Sequence, residues 1–402
     1  MRILFVCHRF PYPPNRGGKI RPFHMIQHLG QKHSVVVASL AHSEQELREG
    51  QPLRECCEDV IAEVVPDSTR WINAGRALFS STPSSVAYFS SPRLKKRIDD
   101  AWQRRGFDAI LVHCVFASQY VHDLSCSFRM LDFGDVDSAK WLDYAHFRRA
   151  PLSWGYKLEA EKLRRYEYQM ASKFDLCTAT TLGEVEEIKK LNASRPTALI
   201  PNGVDLEYFQ PRPVSPPNSN VLIFLGRMDY FPNIDAVQLF ANEIFPLVRR
   251  AIPTAKFRIV GSNPSAAVRD LAKIPGISVT GHVRDVRPHL YDAAVAVAPL
   301  RIARGTQNKI LQFLATGVPV VTTPQAAKGI GAEPGKHFLV AEGAEQFAAE
   351  VIRLLQDAEL RDRLSIAGRE PLDSLHSWPA SMKVLDQLIE KGPNSPRGAA
   401  GT

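Results

Sequence analysis

The sequence predicts an α/β protein built from two doubly wound, Rossmann-like domains. Its 402 residues exceed what one hydrophobic core usually organises. Short apolar runs alternate with helix-permissive stretches, and the runs are near-continuously apolar, as in parallel strands covered on both faces. A Pro-rich stretch at 210–219 has the composition of a linker between two such domains.

The first half starts with a strand at Ile3–Cys7, followed by a Gly-containing loop at 11–18. The apolar residues of the next segment recur at helical spacing, and a strand at Val35–Val37 follows it. This order of strand, loop, helix and strand begins a parallel sheet. Further strands of the first half are predicted at Ala109–Val112, Phe128–Phe133, Leu176–Ala179 and Ala198–Ile200.

The second half repeats the alternation more plainly. Its strands are predicted at Val221–Leu225, Phe257–Val260, Ile277–Thr280, Ala294–Ala298, Val318–Thr322 and Phe338–Val340. Because doubly wound sheets bind ligands at the carboxyl ends of their strands, the turns after these strands are where we expect a site.

Composition and charge exclude several classes of protein. With 45% hydrophobic and 23% charged residues the chain is not of the disordered type. The net charge of +8 is thinly spread, which argues against a nucleic-acid-binding module. The six Cys show neither metal-type spacing nor a disulfide framework, and no apolar run has the length of a signal sequence or a membrane span. We therefore expect a cytoplasmic protein.

Four Gly-containing turns at predicted strand ends each enter a helix, at 13–19, 226–229, 261–264 and 304–309. Such turns let backbone N–H groups approach a phosphate, although each one alone is commonly only turn chemistry. Arg227 and Lys309 should lie on neighbouring strand ends and could pair with a diphosphate. The P-loop pattern and the Gly-x-Gly-x-x-Gly pattern are both missing, so a sugar nucleotide fits better than ATP or NAD.

Several motifs, in order along the chain, resemble the family 4 retaining glycosyltransferases. They are Ile-Pro-Asn-Gly-Val-Asp at 200–205, Phe-Leu-Gly-Arg at 224–227, Val-Gly-Ser at 260–262, Thr-Gly-His-Val at 280–283 and the element at 309–321. More narrowly, the segments at 7–14, 228–233 and 299–305 look like a bacterial exopolysaccharide branch associated with exosortase-type loci.

This resemblance implies a GT-B fold, in which two Rossmann-like domains face each other across a central cleft and a C-terminal helix returns to the first domain. It places an acceptor-side domain at 1–205, a returning helix at 376–390 and a nucleotide-sugar-binding domain at 206–375. Residues 391–402 are expected to be a disordered tail.

By position, the resemblance also assigns site residues. Gly17 and Gly18 match the glycine loop that approaches the diphosphate, and Arg227 matches the phosphate-binding arginine. His113 matches the active-site histidine beside the transferred sugar, with a structural histidine at a strand end as its alternative. We predict His113, Arg227 and Lys309 as catalytic. The remaining predicted donor-binding residues are Gly261, His282, Val283, Arg304, Gly305, Thr306, Gln307, Asn308 and Gln312.

Two positions depart from the family pattern. The family usually carries two Glu eight residues apart in the donor-binding element, and those positions are Arg304 and Gln312 here. Gln312 can still hydrogen-bond ribose hydroxyls, whereas Arg304 can only donate. One hypothesis is that Arg304, together with Arg301, favours an acidic sugar such as a uronic acid or stabilises the departing diphosphate.

The acceptor side is predicted at Lys140, Trp141 and Arg148, in a polar and aromatic segment for which a solvated loop is the alternative. The stretch 151–173 reads as a basic amphipathic helix. Burial of its apolar stripe in the domain core is favoured, and contact with an anionic membrane is the alternative.

The resulting hypothesis is a hexosyltransferase-type enzyme that moves a sugar from a nucleoside-diphosphate-sugar to a saccharide or polyprenol-linked acceptor in exopolysaccharide biosynthesis. It would need no metal or other cofactor, would not bind nucleic acid, and would contact the cytoplasmic face of the inner membrane at most peripherally. The alternatives are a catalytically silent nucleotide- or glycan-binding protein, which the missing Glu pair favours, and a nucleotide-sugar epimerase of the same fold.

Overall fold

A computed structural model describes residues 1–192, 194–211 and 220–392. The chain divides into two compact units. The first comprises Met1–Ile200 and the chain from Met382 onward, and the second comprises Pro201–Ser381. Most of the predicted linker and nearly all of the predicted C-terminal tail lie outside the described residues.

The first unit is a seven-stranded parallel sheet with the strand order β3-β2-β1-β4-β5-β6-β7. Its strands are β1 Arg2–Cys7, β2 Ser34–Ala41, β3 Asp59–Val64, β4 Ala109–His113, β5 Phe128–Gly134, β6 Leu176–Ala179 and β7 Thr197–Leu199. Ile3 to Cys7 are all fully buried in the central strand β1, as expected for a strand with helices on both faces.

The helices of this unit connect its strands. They are α1 Gly17–Gly30, α2 Glu44–Glu49, α3 Gln51–Arg54, α4 Asp67–Ala77, α5 Ser84–Tyr88, α6 Pro92–Arg104, α7 Asp137–His146, α8 Leu152–Lys173 and α9 Leu182–Leu191, with a 3₁₀ segment at Val115–Tyr120. Several begin at a side chain that accepts a backbone N–H of the first turn, among them Ser91 before α6 and Thr181 before α9.

The second unit is a six-stranded parallel sheet with the order β10-β9-β8-β11-β12-β13. Its strands are β8 Val221–Leu225, β9 Lys256–Val260, β10 Ile277–Val279, β11 Val295–Ala298, β12 Val320–Thr322 and β13 Leu339–Val340. Its helices are α10 Phe231–Leu239, α11 Phe245–Ala251, α12 Ala266–Asp270, α13 Arg287–Tyr291, α14 Asn308–Ala315, α15 Pro324–Ala327, α16 Gly343–Gln356, α17 Ala358–Ala367 and α18 Leu372–Leu375. A π segment at Phe240–Ile244 precedes α11, and a 3₁₀ turn at Leu271–Lys273 follows α12.

The predicted fold class of two parallel-sheet, Rossmann-like units is confirmed, and every strand named from the sequence is present. Strand β3 is not predicted by the sequence pattern. Its apolar stretch at 60–62 lies between Asp59 and Glu63, and β3 is an edge strand that is only partly buried. A short run of this kind lacks the continuous apolar character by which the central strands were recognised.

The chain passes between the units at different residues from those predicted, which were 205/206 and 375/376. Val204 pairs with Ser377, and the backbone N–H of Val204 donates to His376 O at 2.7 Å. A Cβ on Gly203 would lie 2.6 Å from the backbone N of Trp378, so these two stretches are in tight contact. Both therefore stay with the second unit, and the crossings follow Ile200 and Ser381.

A last helix, α19 at Trp378–Lys391, carries the chain from the second unit into the first. In the first unit, Asp386 of this helix accepts a hydrogen bond from Lys32 Nζ at 2.6 Å and lies 2.9 Å from His28 Nε2. No helix among residues 1–192, 194–211 and 220–392 is long and apolar enough to cross a membrane.

Candidate functional site

A buried hydrogen-bond network lies at the carboxyl edge of the first sheet. The strand register places His113 of β4 beside Asp132 of β5, and Asp132 beside Thr178 of β6. The Asp132 carboxylate accepts from Thr178 Oγ1 at 2.8 Å and from His113 Nδ1 at 2.7 Å. Arg21 of α1 donates to the same carboxylate through Nε at 2.8 Å and Nη2 at 2.7 Å.

This network fixes the protonation state of its members. Burial raises the pKa of Asp132, but the guanidinium of Arg21 and the hydrogen bond from His113 lower it by more than burial raises it. The pKa of Asp132 therefore lies well below its usual range. Because Asp132 is therefore an acceptor only, Nδ1 of His113 carries a proton. The other ring nitrogen, Nε2, is then the atom of His113 that can meet a ligand hydroxyl.

His8 links this network to the start of α1. It follows β1 directly, and its ring lies 6.0 Å from the ring of His113 and 4.9 Å from that of Phe89. Burial, with the nearby charge of Arg9, lowers the pKa of His8 well below its ordinary value, so this imidazole is neutral. Among the described residues, His8 Nδ1 has no hydrogen-bond partner.

The predicted glycine loop enters α1 beside His8. Gly17 is the first residue of this helix, and the side chain of the preceding residue, Arg16, makes no capping hydrogen bond to it. A Cβ on Gly18 would make only ordinary contacts, at 3.7 Å from Arg9 Cδ and 3.8 Å from His8 Cε1. Packing within the described chain therefore does not require glycine at this position.

The predicted acceptor residues lie on α7 and just after it. Lys140 pairs with Asp137 one turn earlier, and the Trp141 ring packs against Tyr156 with centroids 5.4 Å apart. Arg148 is exposed after the helix ends. Beneath α7 the buried Glu167 accepts from the backbone N–H of Ser138 at 3.1 Å and also contacts the Ser138 hydroxyl. Burial raises the pKa of Glu167 to about 8.

In the second unit, two turns after neighbouring strands are in backbone contact. The N–H of Gly226 donates to Val260 O at 3.1 Å, and the N–H of Met228 donates to Ser262 O at 2.9 Å. Gly261 has φ +152°, and a Cβ there would lie 1.6 Å from Gly226 O. Only glycine allows so close an approach.

The Asn233 side chain connects these turns to the Lys309 side chain. Asn233 donates to Arg227 O at 2.8 Å and accepts a hydrogen bond from Lys309 Nζ. The ammonium of Lys309 also lies 4.3 Å from the centroid of the Phe224 ring. Burial lowers the pKa of Lys309 to about 7. The Arg227 guanidinium pairs with Asp229, two residues further on.

The other predicted donor residues lie on the segment that leads into α14 and around the end of β10. Gly305 has φ +60°, and Gln307 Nε2 donates to Arg304 O at 2.9 Å. Asn308, the first residue of α14, accepts from Asn202 Nδ2 at 3.3 Å. Arg304, Thr306 and Gln312 are half-buried, and Gln312 lies one turn after Asn308 on the same helix.

Not every predicted donor residue is brought to the Arg227–Asn233–Lys309 cluster. His282 is exposed and Val283 half-buried, and both follow the edge strand β10, which β9 separates from β8. Within the described ranges, no group of three or more His, Cys, Asp or Glu side chains could hold a metal ion.

The sequence pattern does not predict the roles of Arg21 and Thr178, or the pairing of Asp132 with His113. One signal was present. Arg21 stands one helical turn before Met25 and two before Leu29, so it is a charged residue within a buried stripe of α1. Such a residue usually has a buried partner of opposite charge.

Comparison with solved structures shows which fold this is. The chain resembles sucrose-phosphate synthase from Thermosynechococcus elongatus, with a TM-score of 0.74 and 16% identity over 97% of this chain and 98% of that one. It also resembles Anabaena Alr3699/HepE in complex with UDP-glucose, with a TM-score of 0.68 and 12% identity over 97% and 100% of the chains. A glycosyltransferase from Rickettsia africae matches with a TM-score of 0.64 and 13% identity over 98% of each chain.

The fold is GT-B. At these identities the likeness shows the fold alone. Residues 219–357 match the family model described as glycosyl transferases group 1. That segment contains Arg227, Asn233 and Lys309, which form the cluster described above, and also Gly261. No curated protein sequence matches the chain significantly.

Proposed function

We propose that this protein is a retaining glycosyltransferase that uses a nucleoside-diphosphate-sugar as donor. The acceptor is a saccharide or a polyprenol-linked saccharide, and the pathway is bacterial exopolysaccharide synthesis at the cytoplasmic face of the inner membrane. One observation carries the donor class: Asn233 hydrogen-bonds both the backbone carbonyl of Arg227 and the ammonium of Lys309, beside glycine turns at strand ends and within the segment that matches glycosyl transferases group 1.

The cluster suits a diphosphate for two reasons. Gly226 and Gly261 keep side chains away from the strand ends, so that backbone N–H groups can approach phosphate oxygens. The guanidinium of Arg227 offers a planar pair of donors, while the ammonium of Lys309 offers a compact charge. A diphosphate beside Lys309 would favour the charged amine, whose pKa burial has lowered.

The proposed reaction places the developing charge on the donor. The bond between the anomeric carbon and the diphosphate oxygen breaks, the acceptor hydroxyl attacks the same face, and its proton passes to the departing phosphate oxygen. Arg227, Lys309 and the backbone N–H groups around Gln307 and Asn308 stabilise the diphosphate as charge grows there. This step needs no metal ion.

His113 is proposed to bind the transferred sugar. Asp132 holds the imidazole with a proton on Nδ1, which leaves Nε2 to hydrogen-bond to a sugar hydroxyl. Gly17 and Gly18 are proposed to approach the donor from the first unit. This agrees with the finding that packing does not require glycine at position 18.

The experiment has two steps. A thermal-shift screen with UDP-, GDP-, ADP- and dTDP-sugars identifies the donor, because a ligand that binds only the folded state raises its apparent stability. Nucleotide release is then measured with and without saccharide and polyprenol-linked acceptors. Arg227→Ala should lower turnover about a hundredfold or more, since losing one such donor typically costs about 2.7–4 kcal/mol of transition-state stabilisation. An exposed arginine of α17, Arg363, provides the matched control Arg363→Ala.

The same assay tests the second candidate, a catalytically silent nucleotide-binding protein. The favouring observation is that Arg304 and Gln312 occupy the positions where the family that this sequence resembles carries two Glu. A donor that raises the melting temperature without acceptor-dependent nucleotide release would support that candidate. Equal turnover of the parent and Arg227→Ala would refute the proposed role of Arg227.

A further inference from the structure

Large apolar side chains are exposed on two segments of the first unit. One is α4 with the two residues that follow it, and the other is the first two turns of α8. Phe79 is 95% exposed, Trp71 68% and Trp154 67%. Scattered exposed hydrophobics are normal, but a group of this size and aromatic content marks an interaction surface. The apolar surface consists of Trp71, Ile72, Leu78, Phe79, Leu152, Trp154 and Leu158.

The two segments are held next to each other by hydrogen bonds. Lys162 of α8 donates through Nζ to Ala77 O at 3.1 Å and to Leu78 O at 3.0 Å, at the end of α4. Trp154, Leu158 and Lys162 are spaced four residues apart, so they follow one face of α8 toward that end. The end of α4, with Leu78, therefore lies against the same face of α8 that carries Trp154 and Leu158.

The hydrophobic core of the first unit does not bury the side chains of the apolar surface. In the second half of α8 the expected stripe is buried, with Leu163 and Met170 in the core and the Tyr166 hydroxyl 3.0 Å from Ser118 Oγ. Leu152, by contrast, is exposed in the first turn. The preferred sequence interpretation, burial of the whole stripe, is thus wrong for Leu152, whereas Tyr156 is half-buried against Trp141.

The surroundings of the apolar surface are strongly basic. From 148 to 165 the exposed charged side chains include a single acid, Glu161, and that carboxylate pairs with Arg165 at 3.0 Å. The other acid of this stretch, Glu159, accepts the backbone N–H groups of Ser84 and Ser85 at 2.9 and 2.8 Å. The exposed basic residues are Arg148, Arg149, Lys157, Arg164 and Arg165, and α4 adds Arg76. The exposed acid of α4, Asp67, lies at the start of that helix, 3.0 Å from His42 Nδ1.

We infer that the apolar surface docks on an anionic lipid bilayer, with its Trp and Phe rings in the headgroup region and the basic side chains toward lipid phosphates. Tryptophan and phenylalanine beside lysine and arginine are the composition of interfacial segments. A second copy of the chain fits less well, because a two-fold interface through this surface would bring the same basic residues against one another.

This inference deepens the proposed function and rests on it only for its purpose, since a surface of this kind would bring the first unit to a lipid-linked acceptor. Binding to lipid needs neither donor nor turnover. The two proposals can therefore fail separately.

The test is co-sedimentation of the full chain with vesicles of phosphatidylcholine alone or of phosphatidylcholine with phosphatidylglycerol. We expect binding to the anionic vesicles that weakens at high salt. The triple variant Trp71→Ser, Phe79→Ser, Trp154→Ser should bind at least about tenfold more weakly, since one buried ring is worth a tenfold factor or more. Ile366→Ser is the matched control, because Ile366 is 72% exposed but belongs to the second unit.

A second variant separates charge from apolar contact. Arg149→Glu, Lys157→Glu, Arg164→Glu should lose the preference for phosphatidylglycerol while keeping the parent's melting temperature. Equal vesicle binding by the parent and the triple serine variant would overturn the inference. A parent that ignores vesicles but forms a dimer in sedimentation velocity, and a serine variant that is monomeric, would instead identify an interface between copies.

Discussion

Replacing Asp132 by asparagine should destabilise the first unit strongly while leaving its shape unchanged. The carboxylate accepts two hydrogen bonds from Arg21, one from His113 and one from Thr178, and it is 1% exposed. An amide keeps one acceptor oxygen and turns an N–H₂ toward groups that donate. Removing one partner of a buried ion pair costs about 3–5 kcal/mol, because the other charge stays buried and uncompensated.

The effect can be measured as a thermal midpoint. For a unit of this size each kcal/mol shifts the midpoint by about 2–4 °C, which gives a fall of about 6–20 °C. Tryptophan fluorescence reports mainly on the first unit, which holds four of the five tryptophans: Trp71, Trp102, Trp141 and Trp154. Asp100→Asn on α6 is the matched control, because Asp100 is exposed and its loss should change stability by no more than about 0.5 kcal/mol.

The dependence on pH gives a further check of the same network. Because the folded pKa of Asp132 is depressed, its stabilising contribution is fully present above the pKa of an unfolded Asp, about 3.9. The difference in free energy of unfolding between the parent and Asp132→Asn should therefore stay constant at neutral pH. It should narrow only when the pH falls below that value. A difference that narrows near neutral pH would refute the assignment.

Coupling to Arg21 and to His113 completes the test. Arg21→Met combined with Asp132→Asn should cost clearly less than the sum of the two single changes, since either one already breaks the pair. Nitrogen NMR of the parent should show a proton on Nδ1 of His113, and Asp132→Asn should lose that preference. Equal midpoints for Asp132→Asn and Asp100→Asn, or strict additivity with Arg21→Met, would refute the reasoning.

Three further predictions concern buried groups and one glycine. Lys309→Met should stabilise the second unit more at pH 6 than at pH 9.5. Burial lowers the pKa of Lys309 to about 7, so below the pKa of an unfolded lysine the buried amine lowers the free energy of unfolding, and increasingly so as the pH falls toward 7. Equal gains in the free energy of urea unfolding at the two pH values would contradict this. Glu167→Gln should stabilise the first unit more at pH 8.5 than at pH 5. Burial raises the pKa of Glu167 to about 8, so the free energy of unfolding of the parent falls as the pH rises from 4.5 to 8. The thermal midpoint of both proteins across pH measures this. Gly261→Ala should yield little folded protein, since its Cβ would lie 1.6 Å from Gly226 O. The control Gly281→Ala also has a positive φ, +72°, but open space around its Cβ, so it should lose only the cost of that backbone conformation and still melt cooperatively in circular dichroism.

The sequence was sufficient for the fold because the central strands are apolar on both faces. Apolar runs such as Ile3–Cys7 and Val221–Leu225 can bury the side chains of both strand faces only between two layers of helices. Both runs are strands in the structure, as expected. The edge strand β3 and the residues at which the chain crosses between units were not foreseen. Both depend on contacts far apart in sequence, such as the pairing of Val204 with Ser377, which no local pattern reports.

The candidate site divides in the same way. Gly226, Gly261 and Lys309 could be placed from strand ends and turn chemistry, and the structure brings all three together around Asn233. Arg21 could not be placed, because its partner Asp132 lies 111 residues away and meets it only when α1 packs across the sheet. His282, identified by resemblance, is exposed beyond the edge strand β10, and its role stays a prediction.

The electrostatics of the second unit indicate how the charge of the Arg227–Asn233–Lys309 cluster would change when a donor binds. In the structure Arg227 is paired with Asp229, and burial lowers the pKa of Lys309 to about 7, so the cluster presents less positive charge than its composition implies. Under the proposed function, a diphosphate between them would compete with Asp229 for Arg227 and would raise the pKa of Lys309. Donor binding at slightly alkaline pH should then take up a proton. The site would acquire its full charge only when the anion that needs it is bound, which limits the cost of keeping a buried ammonium charged without a partner.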